Sequence, residues 1–173
     1  MSAATTEPAL GEARERAAKW YYKELWGWDL HEICTGPVRE TFLKSLLVCA
    51  NGDGRLTPEE RTWVLGRAAV AGAPDALLAE LEAYPADENI NEVVARTLST
   101  DNSRRAVVYF AIKAASSDDR YVGQEREKIR SVAAAMGISA EVVGQIEQQV
   151  KQEARLKQQR IELCFPDGNP FRL

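Results

Sequence analysis

Apolar residues recur along the chain at helical spacing, and no stretch alternates as a half-buried strand would. β-Branched alternating runs are absent and alanine is abundant, which favours helix throughout. The spacing predicts a first helix over about residues 10–26, interrupted at Gly27 and followed by the connector WDLHEICTGP. Pro37 suits a first helical position and opens a second helix that runs to about Cys49. NGDG (51–54) is a turn. Thr57, Pro58 and Glu60 then fit the N-cap, N1 and N3 positions of a third helix, which Gly72 ends. A fourth helix over APDALLAELEAY (73–84) places Leu77, Leu78 and Leu81 on one face and is closed by Pro85. Further helices are expected over 89–99, over 102–116 (apolar enough to be central to the core) and over 123–137, closed by Gly137. Ser139 caps an eighth that runs to about Arg160, with an apolar face (Val142, Val143, Ile146, Val150) that fades after Val150. Two prolines exclude helix from the tail FPDGNPFRL.

The pattern repeats. Shifted by 65 residues, LKSLLVCANGDGRLTPEERTWVLGRAAVAGAPDALLAELE (43–82) lies without a gap over VYFAIKAASSDDRYVGQEREKIRSVAAAMGISAEVVGQIE (108–147). Identities fall at Ala50/Ala115, Asp53/Asp118, Arg55/Arg120, Glu60/Glu125, Arg61/Arg126, Ala68/Ala133, Ala69/Ala134, Gly72/Gly137 and Glu82/Glu147. Ordinary composition would give roughly two or three by chance. The repeating unit is helix, acidic turn, helix, glycine, helix, and neither copy can bury its apolar face alone. The expected fold is all-α: a compact bundle of seven or eight helices with an internal pseudo-two-fold repeat. Residues 1–9 are expected to be a flexible lead-in, 10–160 a single helical domain, and 161–173 an irregular tail.

The two segments ANGDGRLTPEER and ASSDDRYVGQER, each leading into a helix closed by glycine, resemble the TerB-like family over about residues 38–150. That family includes the tellurite-resistance protein TerB and the N-terminal region of the DjlA co-chaperones. Where its second loop often has glycine, this chain has Asp119. The resemblance implies an all-helical protein without known catalysis, a stress-response setting, assemblies at the membrane face and, in some members, divalent-cation binding at acidic residues.

Composition narrows the function further. The 173 residues carry a net charge of -4, and ten acids against four bases make residues 51–101 -6. That acidic middle disfavours nucleic acid as a partner. No run of 18 apolar residues is present, which excludes a transmembrane helix. MSAATTEPALGEARER lacks a signal-peptide core, and Cys34, Cys49 and Cys164 form no C-x-x-C, so a cytoplasmic setting is expected. Cys49 falls on an apolar helical stretch and is expected in the core. His31, the one histidine, lies in a connector, no phosphate-binding glycine loop is present, and the chain is not expected to be an enzyme.

The acidic turns are the candidate Ca2+ or Mg2+ ligands. With Gly54 at position 6 of an EF-hand loop, Leu56 and Glu60 take positions 8 and 12, and Asn51 and Asp53 take 3 and 5. Position 1 is then Cys49, unsuited to a hard cation, and the second loop fits less well. A shared site would need Asp53, Glu60, Asp118, Asp119 and Glu125 to converge about the pseudo-two-fold axis. Turn and capping roles explain the same residues without a metal. Candidate protein-binding residues are Trp20, Trp26 and Trp28, in a segment whose aromatics wrap more than one helix face, with Lys151 and Arg155 on the basic stretch 151–160. Peripheral membrane contact and self-association are compatible with the sequence.

Overall fold

A computed structural model of the chain describes residues 6–31, 36–51, 54, 56–96, 103–116 and 123–170. The element order is α1 (Thr6–Trp26), α2 (Pro37–Ala50), α3 (Pro58–Val70), α4 (Asp75–Ala83), α5 (Ile90–Val94), α6 (Arg104–Ala115), α7 (Gln124–Ala135) and α8 (Ala140–Cys164), with no strand among the described residues. Two boundaries extend past those the periodicity predicts. α1 starts at Thr6, because Pro8 in a first turn removes only an N–H that has no intrahelical acceptor. α8 continues to Cys164 on strong helix formers and stops where Pro166 pushes Phe165 out of the helical region.

The repeat is three-dimensional. Adding 65 to the bounds of α3 (58–70) gives 123–135, against 124–135 for α7, and 65 added to the start of α4 (75) gives 140, where α8 begins. α2 and α6, the first helices of the two copies, pack on each other more extensively than any other pair. The crossed contacts α2–α7 and α3–α6 both occur, as a two-fold relation requires. The shared core is built from Leu43, Leu46, Leu47 and Cys49 of α2 and Val107, Val108, Phe110, Ala111 and Ile112 of α6, all buried. Burial pushes the Cys49 thiol up to about 12.

Both copies end their second helix alike. Gly72 (φ 88°) and Gly137 (φ 77°) occupy the left-handed region. The Ala73 N–H donates to the Ala68 carbonyl and the Ile138 N–H to the Ala133 carbonyl, each at 2.9 Å. No atom lies within 4 Å of where a Gly137 Cβ would stand, so only the backbone resists a side chain. Gly137→Ala is expected to lower stability by about 1–2 kcal/mol, read as a lower urea midpoint with an unchanged slope.

A second paired contact lies just outside the aligned window. The Arg39 Nη2 donates to the Ala71 carbonyl at 2.9 Å, and the Arg104 Nη1 donates to the Met136 carbonyl at 3.0 Å. Arg39 and Ala71 shifted by 65 are Arg104 and Met136. Each arginine holds the last carbonyls of the following helix, where the helix dipole favours a cation.

The copies diverge after their third helix. Pro85 stops α4, and its open carbonyls are met by Arg61, which donates to Leu81 at 2.7 Å and to Glu82 and Tyr84 at 3.0 Å. α8 continues, so its carbonyls at that level are held within the helix. The equivalent Arg126 turns instead to the Glu147 carboxylate, at 3.0 and 2.6 Å.

Candidate functional site

The first acidic turn is held by local chemistry. The Gly54 N–H donates to the Asn51 carbonyl at 2.8 Å with Gly54 at φ 78°. The Asn51 side chain accepts from the Leu56 N–H at 2.9 Å and donates to the Ala86 carbonyl at 3.0 Å. Glu60 is 2 % exposed and closes the capping box: its Oε2 accepts from the Thr57 N–H at 2.8 Å and from the Thr57 hydroxyl at 2.9 Å. Glu125 stands in the first turn of α7, behind Gly123, which supplies no side-chain cap. Asp53, Asp118 and Asp119 lie outside the described residues. Among the described residues no group of three metal-ligating side chains comes together.

The aromatic segment divides between core and surface. Trp20 is 62 % and Trp28 56 % exposed. Trp26 is half-buried, stacks on Trp28 at 5.5 Å between ring centroids, and meets Phe110 edge-on at 6.0 Å. His31 is exposed, and its neighbours Glu32 and Cys34 lie outside the described residues.

The far half of α8 leaves the bundle. Val143 and Val150 are its buried residues. Lys151 and Arg155 are exposed. Beyond them Leu156 (63 %), Ile161 (41 %) and Leu163 (84 %) present apolar side chains to solvent among Lys157 and Arg160. Leu156 and Leu163 are seven residues apart and share one face. At the root of this segment the Glu153 Oε2 accepts from Tyr109 and Lys113, both at 2.7 Å. Burial alone would raise the Glu153 carboxyl, but those hydrogen bonds outweigh it and hold it below the usual carboxylate range.

A cavity of about 270 Å³ lies between α1, α2, α3 and α6. Tyr22, Trp26, Trp28, Phe42 and Phe110 line it together with Arg39 and Arg67. The Arg67 guanidinium lies 3.5 Å from the Phe110 ring centroid and 5.4 Å from that of Phe42. Burial lowers its pKa from the usual arginine range. Neither arginine was singled out by the spacing of the chain. The 65-residue shift would have found Arg39 through Arg104, whereas Arg67 answers to Val132 and has no signal in the repeat.

A duplicated helix–turn–helix unit, closed by glycine and wrapped about a central helix pair, defines the chain as an all-α two-copy repeat protein. The crystal structure of a tellurite resistance protein from Nostoc punctiforme PCC 73102 has the same fold, with a TM-score of 0.84 and 33% sequence identity over 92% of this chain and 98% of that one. The chain belongs to the TerB-like tellurite-resistance family. No protein-family model matches the sequence, and no curated protein does.

Proposed function

We propose that this protein is a non-enzymatic interaction module of a tellurite-resistance-type stress response in the cytoplasm, and that it holds a protein partner with the projecting half of α8 and the exposed tryptophans of α1 and its connector. The observation that carries the reading is the apolar face of α8 beyond Val150, where Leu156 and Leu163 stand in water although the helix has left its own core. Exposed apolar side chains flanked by basic ones suit an acidic, apolar-faced partner. No described helix is long and apolar enough to cross a membrane.

The test is co-purification of the tagged chain from its own cells, wild type against Leu156→Glu plus Leu163→Glu. Surface changes of this kind shift stability by roughly 0.5 kcal/mol or less. The double variant is expected to melt like the wild type and to lose the co-purifying protein. Retention of every partner by a folded double variant would remove α8 from the reading.

A cation-responsive role for the duplicated turns is the second reading, supported by the recurrence of Asp53 as Asp118 and of Glu60 as Glu125. The capping bonds of Glu60 weaken it, since an ion would have to compete with them. Ca2+ should then raise the melting temperature, and Asp53→Asn plus Asp118→Asn should abolish that rise. No rise at millimolar Ca2+ or Mg2+ would sink it.

A further inference from the structure

We propose that the cavity between α1, α2, α3 and α6 binds an organic monoanion, a carboxylate on an aromatic or aliphatic body, with Arg39 and Arg67 meeting its oxygens and Trp26, Trp28 and Phe42 enclosing its apolar part.

The charge in this cavity is uncompensated. Arg39 is 8 % exposed and Arg67 half-buried, and neither has a carboxylate partner among the described residues. The Arg39 Nη2 is bonded to the Ala71 carbonyl, but its Nη1 is buried without an acceptor, and so is the Arg67 Nε. The Phe110 ring covers the face of the Arg67 guanidinium and the Tyr21 hydroxyl accepts one of its hydrogen bonds, which leaves the buried Nε–H without an acceptor. Buried donors of a cation that lack acceptors are costly, and a planar carboxylate matches the guanidinium fork.

The architecture does not require this arrangement. The second copy keeps the arginine-to-carbonyl contact as Arg104 to Met136, yet it has Val132 where the first has Arg67 and Val107 where the first has Phe42. The helix-end role therefore accounts for the Arg39 Nη2 bond alone. The second cation and the aromatic walls are additions to one copy. The surrounding walls are mainly apolar, which selects a single charge on an apolar body, because stripping water from a dianion costs more.

Calorimetry and tryptophan emission with 4-phenylbutyrate and octanoate test the assignment, with 4-phenylbutylamine and inorganic phosphate as the matched cation and the bare anion. At least one carboxylate is expected to saturate a single site and shift the Trp26 and Trp28 emission, while the amine and phosphate do not. Arg39→Gln should weaken binding about tenfold or more. Because Arg39→Gln also removes a helix-end bond, Arg104→Gln serves as its twin: it should lose comparable stability and keep full affinity. Trp28→Ala, at an exposed position, should weaken binding several-fold with an unchanged melting temperature. The proposal fails if neither carboxylate saturates at millimolar concentration, if the amine or phosphate binds as well, if Arg104→Gln weakens binding as much as Arg39→Gln does, or if Trp28→Ala leaves affinity untouched.

Discussion

Phe110→Ala is expected to lower the unfolding free energy by about 3–5 kcal/mol, the range for removing a buried ring. Phe110 is 3 % exposed and stands where four aromatic neighbours meet: Tyr109 at 4.9 Å, Trp26 at 6.0 Å, and Phe42 and Trp63 at 6.3 Å between centroids. It also carries the Arg67 guanidinium on its face. Its loss opens a void between the two copies and takes from the half-buried Arg67 its nearest ring contact, worth up to about 2 kcal/mol where the cation is desolvated. Phe110→Leu keeps most of the volume and removes only the ring face, so it should lose less than the alanine variant. Urea titration followed by circular dichroism reads both. A loss under about 1 kcal/mol for the alanine variant would mean that the ring is not pinned between the copies.

Arg61→Ala is the second large effect, about 2–3 kcal/mol. Its guanidinium closes the end of α4 through three carbonyls, and truncation leaves them without that donor under a partly buried segment. The same change at Arg126 should cost less than about 1 kcal/mol, because the Arg126 side chain is itself 48 % exposed and Arg130 still holds Glu147 at 2.8 Å. Equal losses from the two variants would contradict the different jobs assigned to this repeated pair. Thermal melts of both, at matched ionic strength, decide between the outcomes.

Local chemistry is legible in this chain because caps and turns involve neighbouring residues. Thr57, Pro58 and Glu60 announce the start of α3, and the structure joins Thr57 and Glu60 in a capping box with Pro58 in the first turn. Ser139 before the apolar run of α8 predicts a cap, and its hydroxyl accepts from the Val142 N–H at 3.3 Å. The glycines at 72 and 137 end their helices at positive φ. The aromatic run of α1 is less legible. Its periodicity showed that more than one face was aromatic, but only packing separates the exposed Trp20 from the half-buried Trp26.

The sequence by itself determined an all-helical chain, a 65-residue duplication and the family to which it belongs, because caps, periodicity and repeats are local or additive properties of the chain. Only the tertiary structure decided what the duplicated residues do. It directed Arg61 to backbone carbonyls but Arg126 to a carboxylate, set Arg39 against the Ala71 carbonyl, and carried α8 beyond the core. It also gathered Arg39 and Arg67 among rings from α1, α2 and α6. The physical reason is that a side chain's partner depends on which carbonyls and rings the packed helices leave within reach, and those come from segments tens of residues away.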